Sequence, residues 1–105
     1  MATNYQRGRA FEYRTRDKLL KDGAVYVMRA AQSKGKVDLI ALWPYHESLG
    51  PQVSLIQCKR DGRLSVTERD ALLDLAEQTW AEAYVAKTGP NGRGVVLQRL
   101  SKEAQ

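Results

Sequence analysis

Apolar positions along the chain change their spacing several times, and each change predicts an element. Residues 5–22 repeat with a helical period. At roughly 100° per residue, Tyr5, Phe11, Leu19 and Leu20 share one arc, while Arg7, Arg14, Lys18 and Lys21 lie opposite. Asp22-Gly23 ends this segment, with Gly23 as a C-terminal cap. Ala24–Met28 then reads as a first strand leading to Arg29, followed by the polar loop Gln32-Ser33-Lys34-Gly35-Lys36. Two nearly unbroken apolar runs come next, Lys36 to Leu42 continuing to Trp43, and Val53 to Arg60. Runs of β-branched residues and leucine without alternation are the mark of strands covered on both faces. Pro44 to Gln52 reads as a turn-rich connection, with Pro44, Gly50 and Pro51 as breakers. His46, the single histidine, lies there and is assigned no role.

Arg60-Asp61-Gly62-Arg63 predicts a turn, and Ser65-Val66-Thr67-Glu68 a capping box that opens a second helix. That helix carries Leu72, Leu73, Leu75, Ala76 and Trp80, an apolar arc wider than packing on one sheet face requires. Either the helix is deeply buried or part of the arc meets a second subunit. Ala83–Ala86 and Val95–Leu97 predict two strands around the hairpin signal Gly89-Pro90-Asn91-Gly92. The tail from Ser101 is expected to fray. The order is helix, three strands, helix, then two strands, which implies an α/β domain with a mixed sheet flanked by helices.

At 105 residues the chain supports one domain, taken as 1–105, with a single core of moderate size. No stretch is long and apolar enough for a membrane span, and no apolar signal region opens the chain. One cysteine excludes an internal disulfide and a Cys-rich zinc site. A soluble protein of a reducing intracellular compartment, cytoplasm or nucleoid, is expected. Net charge is +5, and its distribution says more than its sum. Residues 1–36 hold nine Lys/Arg against three Asp/Glu, whereas residues 37–105 hold eight against nine. A basic excess confined to the first third points to a polyanion, nucleic acid first.

The two buried runs carry polar groups where such strands ordinarily have none. Asp38 opens the first and Lys59 closes the second. With side chains alternating, Gln57 and Lys59 face one way and Cys58 the other. Glu12 falls inside the apolar arc of the first helix, where a lone carboxylate is costly to bury. It is either an ion-pair partner of Arg16 one turn on or an inward-facing metal ligand. Likewise, Asp38 and Lys59 form either a plain cross-strand ion pair or part of an active site. Phosphodiester hydrolysis needs an activated water and neutralised phosphoryl oxygens, which a divalent cation supplies. Magnesium needs only one or two protein carboxylates. Asp38 and Glu12 meet that need, and the Gln57 amide oxygen and the backbone carbonyl of Cys58 are further oxygen ligands. Lys59 would orient or deprotonate the attacking water, or stabilise transition-state charge. Arg9 and Arg16 flank Glu12 and could reach an approaching phosphate.

Taken together, Arg7-Gly8-Arg9-Ala10-Phe11-Glu12, Gly23–Arg29, Ser33, Val37-Asp38-Leu39-Ile40-Ala41 and Ile56-Gln57-Cys58-Lys59 resemble archaeal-type Holliday junction resolvases of the PD-(D/E)XK nuclease superfamily. The resemblance spans about residues 6–60. It implies a restriction-endonuclease-like core and a magnesium site at Glu12, Asp38, Gln57 and Lys59, with manganese able to substitute. It further implies a functional role for Ser33 and DNA contacts at Arg29 and around Gly8. The full candidate DNA-contacting set is Arg7, Gly8, Arg9, Arg16, Arg29, Lys34, Lys36 and Arg60. Such proteins act as homodimers that place paired symmetric nicks in a four-way junction. One position departs from the pattern. Gln57 stands where the family has an acid, so metal binding should weaken unless Glu12 and substrate phosphate compensate. A repair- or restriction-type nuclease acting on flaps, ends or mismatches, and a catalytically impaired DNA-binding module, are the alternatives.

Overall fold

A computed structural model describes residues 3–30 and 36–102. The first helix, α1 (Asn4–Lys21), starts at a capping box in which the Thr3 hydroxyl accepts the Gln6 N–H and the Gln6 side chain accepts the Thr3 N–H. Its buried stripe is Phe11, Thr15 and Leu19, spaced four apart. This is narrower than the expected arc, since Tyr5 and Leu20 are exposed. Thr15 joins the stripe because its hydroxyl donates to the Phe11 carbonyl at 2.8 Å, which removes the cost of burying it. The helix ends at Asp22, and Gly23 takes the positive φ of +115° that turns the chain toward the sheet.

Five strands follow: β1 (Tyr26–Arg29), β2 (Leu39–His46), β3 (Gly50–Cys58), β4 (Glu82–Thr88) and β5 (Val95–Leu100). They form one sheet in the order β1-β2-β3-β4-β5. Every pairing is antiparallel except β3 with β4, which is parallel and spanned by the crossover helix α2 (Val66–Thr79). A parallel step needs such a crossover because the chain must return to the same end of the sheet. The expected mixed α/β architecture is therefore the one observed.

Each face of the sheet carries a helix. Phe11, Leu19 and Ala24 pack with Leu39, Ala41, Ile56 and Ala86 on the α1 side. Leu72, Leu73 and Ala76 pack with Val37, Leu55 and Ala83 on the α2 side. Consecutive Leu55 and Ile56 thus enter opposite layers, which explains the unbroken apolar run of β3. Trp80 does not belong to the α2 stripe. It is the C-cap residue, in the left-handed region at φ 57°, and is 94% exposed.

The expected long connection from Pro44 to Gln52 is instead a hairpin whose turn covers only residues 47–49. The imidazole Nδ1 of His46 accepts the N–H groups of Ser48 and Leu49 and closes it. Pro44 and Pro51 are tolerated in the strands because the hairpin tip projects past its neighbours. β1 pairs with β2 only over 39–42, and β4 pairs with β3 only over 54–58. Between β2 and β3 themselves the register shifts between Trp43 and His46, so both prolines fall where that ladder is already broken.

Candidate active site

The site lies where β2 begins and β3 ends. Asp38 sits in a bend just before β2, and its own N–H donates to the Ile56 carbonyl at 2.9 Å. Two residues beyond Ile56, the last β3 residue paired with β2, the Cys58 N–H has no strand partner on that side. Asp38 Oδ2 accepts it at 2.7 Å. A carboxylate takes the place of a strand carbonyl, and the ladder ends on a charge.

Burial, before anything else, pushes the Asp38 carboxyl above its ordinary value of 3.8, although the Cys58 N–H and Lys59 oppose the rise. Glu12 enters from α1. Its Oε1 accepts from Arg29 Nε at 2.7 Å, and both side chains are largely covered. Burial raises the Glu12 carboxyl too, the Arg29 bond lowers it, and the charge of Asp38 raises it again. The partner of Glu12 is therefore Arg29, seventeen residues away, and not Arg16, which pairs with Asp17 at 3.0 Å.

Lys59 follows β3 and turns toward α2. Its Nζ lies 2.7 Å from Glu68 Oε2, so neither Glu12 nor Asp38 holds it as an ion-pair partner. The expected plain alternative, an Asp38–Lys59 ion pair, is replaced by this one. Glu68 in turn uses Oε1 to accept the Ser65 N–H of the capping box. A cleft of about 310 Å³ opens between α1 and the turn that follows β3, lined by Gly8, Phe11, Glu12, Cys58, Lys59, Arg60 and Asp61. Gly62, at φ +75°, makes the turn that carries Arg60 and Asp61 around its rim. A Cβ there would come within 2.9 Å of the Lys87 side chain.

Of the expected ligands, Glu12 and Cys58 line this cleft, and Asp38 adjoins them through its bond to the Cys58 N–H. Gln57 stands apart. It is 5% exposed, and its Nε2 donates to the Lys36 carbonyl at 2.8 Å, pinning the segment that leads to Asp38. The Cys58 thiol points into the α1 layer beside Thr15. Of the expected DNA contacts, Gly8 and Arg60 line the cleft, and Arg7, Arg9 and Lys36 are exposed. Ser33 and Lys34 lie outside the described residues.

Two residues of this neighbourhood escaped sequence reasoning. Glu68 looks complete as a capping partner, and only the fold brings it to Lys59. Tyr13 follows Glu12, with Arg9 four residues before it and Arg16 three after, a same-face spacing that was legible. Among the described residues, no three His, Cys, Asp or Glu side chains gather as a metal cluster. Two partly desolvated carboxylates, the charge of Asp38 raising the pKa of Glu12, nevertheless suit a hard cation that takes only one or two protein acids.

No family model and no curated protein matches the sequence. Among solved structures, the chain is similar to Hjc, a Holliday junction resolvase of the archaeal hyperthermophile Archaeoglobus fulgidus. The match has a TM-score of 0.61 and 23% identity, and covers 89% of this chain and 72% of that one. The resolvase-like fold expected from the residues is thus the fold observed. Among the described residues, no helix is long and apolar enough to cross a membrane.

Proposed function

We propose that this chain is a magnesium-dependent endodeoxyribonuclease that resolves four-way DNA junctions. One observation carries the reading: Glu12 and Asp38, partly stripped of water, converge with Lys59 at the end of a sheet whose fold is similar to that of a junction resolvase. The basic excess of the first 36 residues, on α1 and the segment before Asp38, supports DNA as the substrate.

Glu12, Asp38 and the Cys58 carbonyl would hold the cation, Gln57 contributing its amide oxygen if its side chain releases Lys36. When bound, magnesium or manganese would neutralise phosphoryl charge and lower the pKa of a water. Arg29, already bonded to Glu12, keeps that carboxylate oriented toward the cleft. Lys59, as the ammonium of its pair with Glu68, offers positive charge to phosphoryl oxygens and not a lone pair to water. Of the two roles open to that lysine, charge stabilisation is the one its partner favours. A homodimer would present two such sites to the two equivalent strands of a symmetric junction. Such a protein would act on DNA inside the cell.

The second reading is a DNA-binding module with impaired catalysis, favoured by Gln57, which removes one negative charge from the ligand set and is engaged elsewhere. One assay decides. Labelled four-way junction, linear duplex and flap are incubated with magnesium or with chelator, beside Asp38→Asn. Paired nicks confined to the junction, dependent on magnesium and abolished by the substitution, support the resolvase. Cleavage of every substrate favours a repair-type nuclease. Tight binding without cleavage leaves the module.

A further inference from the structure

Three guanidinium groups gather on the Tyr13 ring. Arg9 and Arg16 reach it from the same helix, their Cζ atoms 5.8 and 5.0 Å from the ring centroid. Arg29 reaches it from β1, at 5.3 Å. Like charges this close repel, and surface arginines otherwise spread into water. The electron-rich ring face supplies the attraction that gathers them.

Acids balance only part of the cluster. Glu12 takes Arg29 at 2.7 Å, and Asp17 takes Arg16 at 3.0 Å. Arg9 forms no ion pair among the described residues and meets the Tyr13 hydroxyl at 3.4 Å. Three cations thus face two acids, on a half-exposed surface where such pairs add little to stability. A cluster that stabilises little and keeps an excess positive charge is suited to an anion. Planar guanidiniums held beside one ring lose little freedom on binding, and their fork of N–H donors matches phosphate oxygens. Glu12 joins this cluster to the cleft, because it lines the cleft and holds Arg29.

We propose that Tyr13 is a positioning residue whose ring holds Arg9, Arg16 and Arg29 as a preformed seat for one backbone phosphate of the DNA strand entering the cleft. This rests on the reading of the chain as a DNA-acting protein. It adds to that reading a residue that itself carries no charge for phosphate.

The test measures binding of labelled four-way junction in chelator, so that cleavage plays no part, as a function of salt concentration. Tyr13→Leu should weaken binding by about 3–10-fold near ~100 mM salt and flatten the log–log salt slope by about one. Tyr13→Phe should stay within about twofold of wild type, because the ring remains. Arg9→Lys should weaken binding several-fold although charge is kept, since an ammonium lacks the planar fork of donors. Arg9 is exposed, so this variant tests the seat even if Tyr13→Leu does not fold. An unchanged melting temperature for Tyr13→Leu assigns its loss to binding. Wild-type affinity and slope in Tyr13→Leu, or in Arg9→Lys, overturn the seat and leave the nuclease reading standing. Equal losses in Tyr13→Phe and Tyr13→Leu also overturn it, because the hydroxyl would then be the active group. Absence of DNA binding by the wild-type protein removes the broader reading and the seat together.

Discussion

Glu68 holds Lys59. Its Oε2 lies 2.7 Å from the lysine Nζ, while its Oε1 accepts the Ser65 N–H at 3.1 Å. One carboxylate therefore closes the first turn of α2 and aims the cation that closes β3. The same contacts, Lys59 first and Ser65 second, hold the Glu68 carboxyl below its ordinary value of 4.5.

Separating these two jobs gives a first prediction. Glu68→Gln keeps an oxygen for Ser65 but loses the ionic hold on Lys59. Junction cleavage should fall about tenfold while binding in chelator stays near wild type, since an unheld lysine samples many rotamers. Because the folded pKa is depressed, the stability Glu68 adds is present above 4.5 and is lost as pH falls through the folded value. The melting-temperature gap between wild type and Glu68→Gln should therefore close on acidification. A gap that widens toward low pH contradicts this account.

Asp38 has the opposite sign. Its pKa is raised, so its contribution is full below 3.8 and is lost as pH rises through the folded value. At neutral pH the ionised group costs stability. Asp38→Asn retains an acceptor for the Cys58 N–H and removes the charge. Calorimetry at pH 7 should show a melting temperature equal to wild type or a few degrees higher, while nicking drops at least about 100-fold. A large fall in melting temperature would show that the carboxylate is there for structure.

Gln57→Glu tests the position that departs from the resembled pattern. The substitution replaces the donor to the Lys36 carbonyl with an oxygen that repels it, in a site only 5% exposed. The cost of about 1–3 kcal/mol corresponds to a fall of roughly 5–15 °C in melting temperature. Magnesium should restore part of that fall, more than it raises wild type, because a third acid then adjoins Asp38. A variant as stable as wild type without metal would show that the Lys36 bond anchors nothing.

The Cys58 thiol is pushed up to about 12, by burial first and by the charge of Asp38 second. The thiolate is the reactive form, so alkylation of the native protein at pH 8 should run at least about 100-fold slower than that of the unfolded chain. Mass spectrometry with and without denaturant measures this directly. Rapid native labelling would place the sulfur outside the α1 layer.

The strands of this fold were legible because a sheet covered on both faces leaves unbroken apolar runs. The capping box at Ser65 marks the start of α2, whereas the one at Thr3 went unread. Tyr5, Leu20 and Trp80 misled, because periodicity assigns an apolar residue to a face without knowing where the sheet ends. Thr15 escaped for the converse reason, a polar residue made apolar by a bond to its own helix. Within the site, Asp38, Gln57 and Lys59 were visible as polar interruptions of the runs. Their partners were not. The Glu12–Arg29 and Lys59–Glu68 pairs join elements that only the finished sheet brings together.

Pro44 and Pro51 have a consequence for how copies of this chain meet in solution. The hairpin tip they occupy extends beyond both neighbouring strands and exposes Tyr45 and Leu49. An exposed two-sided ribbon with such side chains is a template for further strands, and hence for fibrous self-association. Each strand of the tip carries a proline, which has no N–H to give an incoming strand, and the register shift between Trp43 and His46 makes the ribbon irregular. The residues that read in sequence as breakers of the strands act instead as guards of their edges.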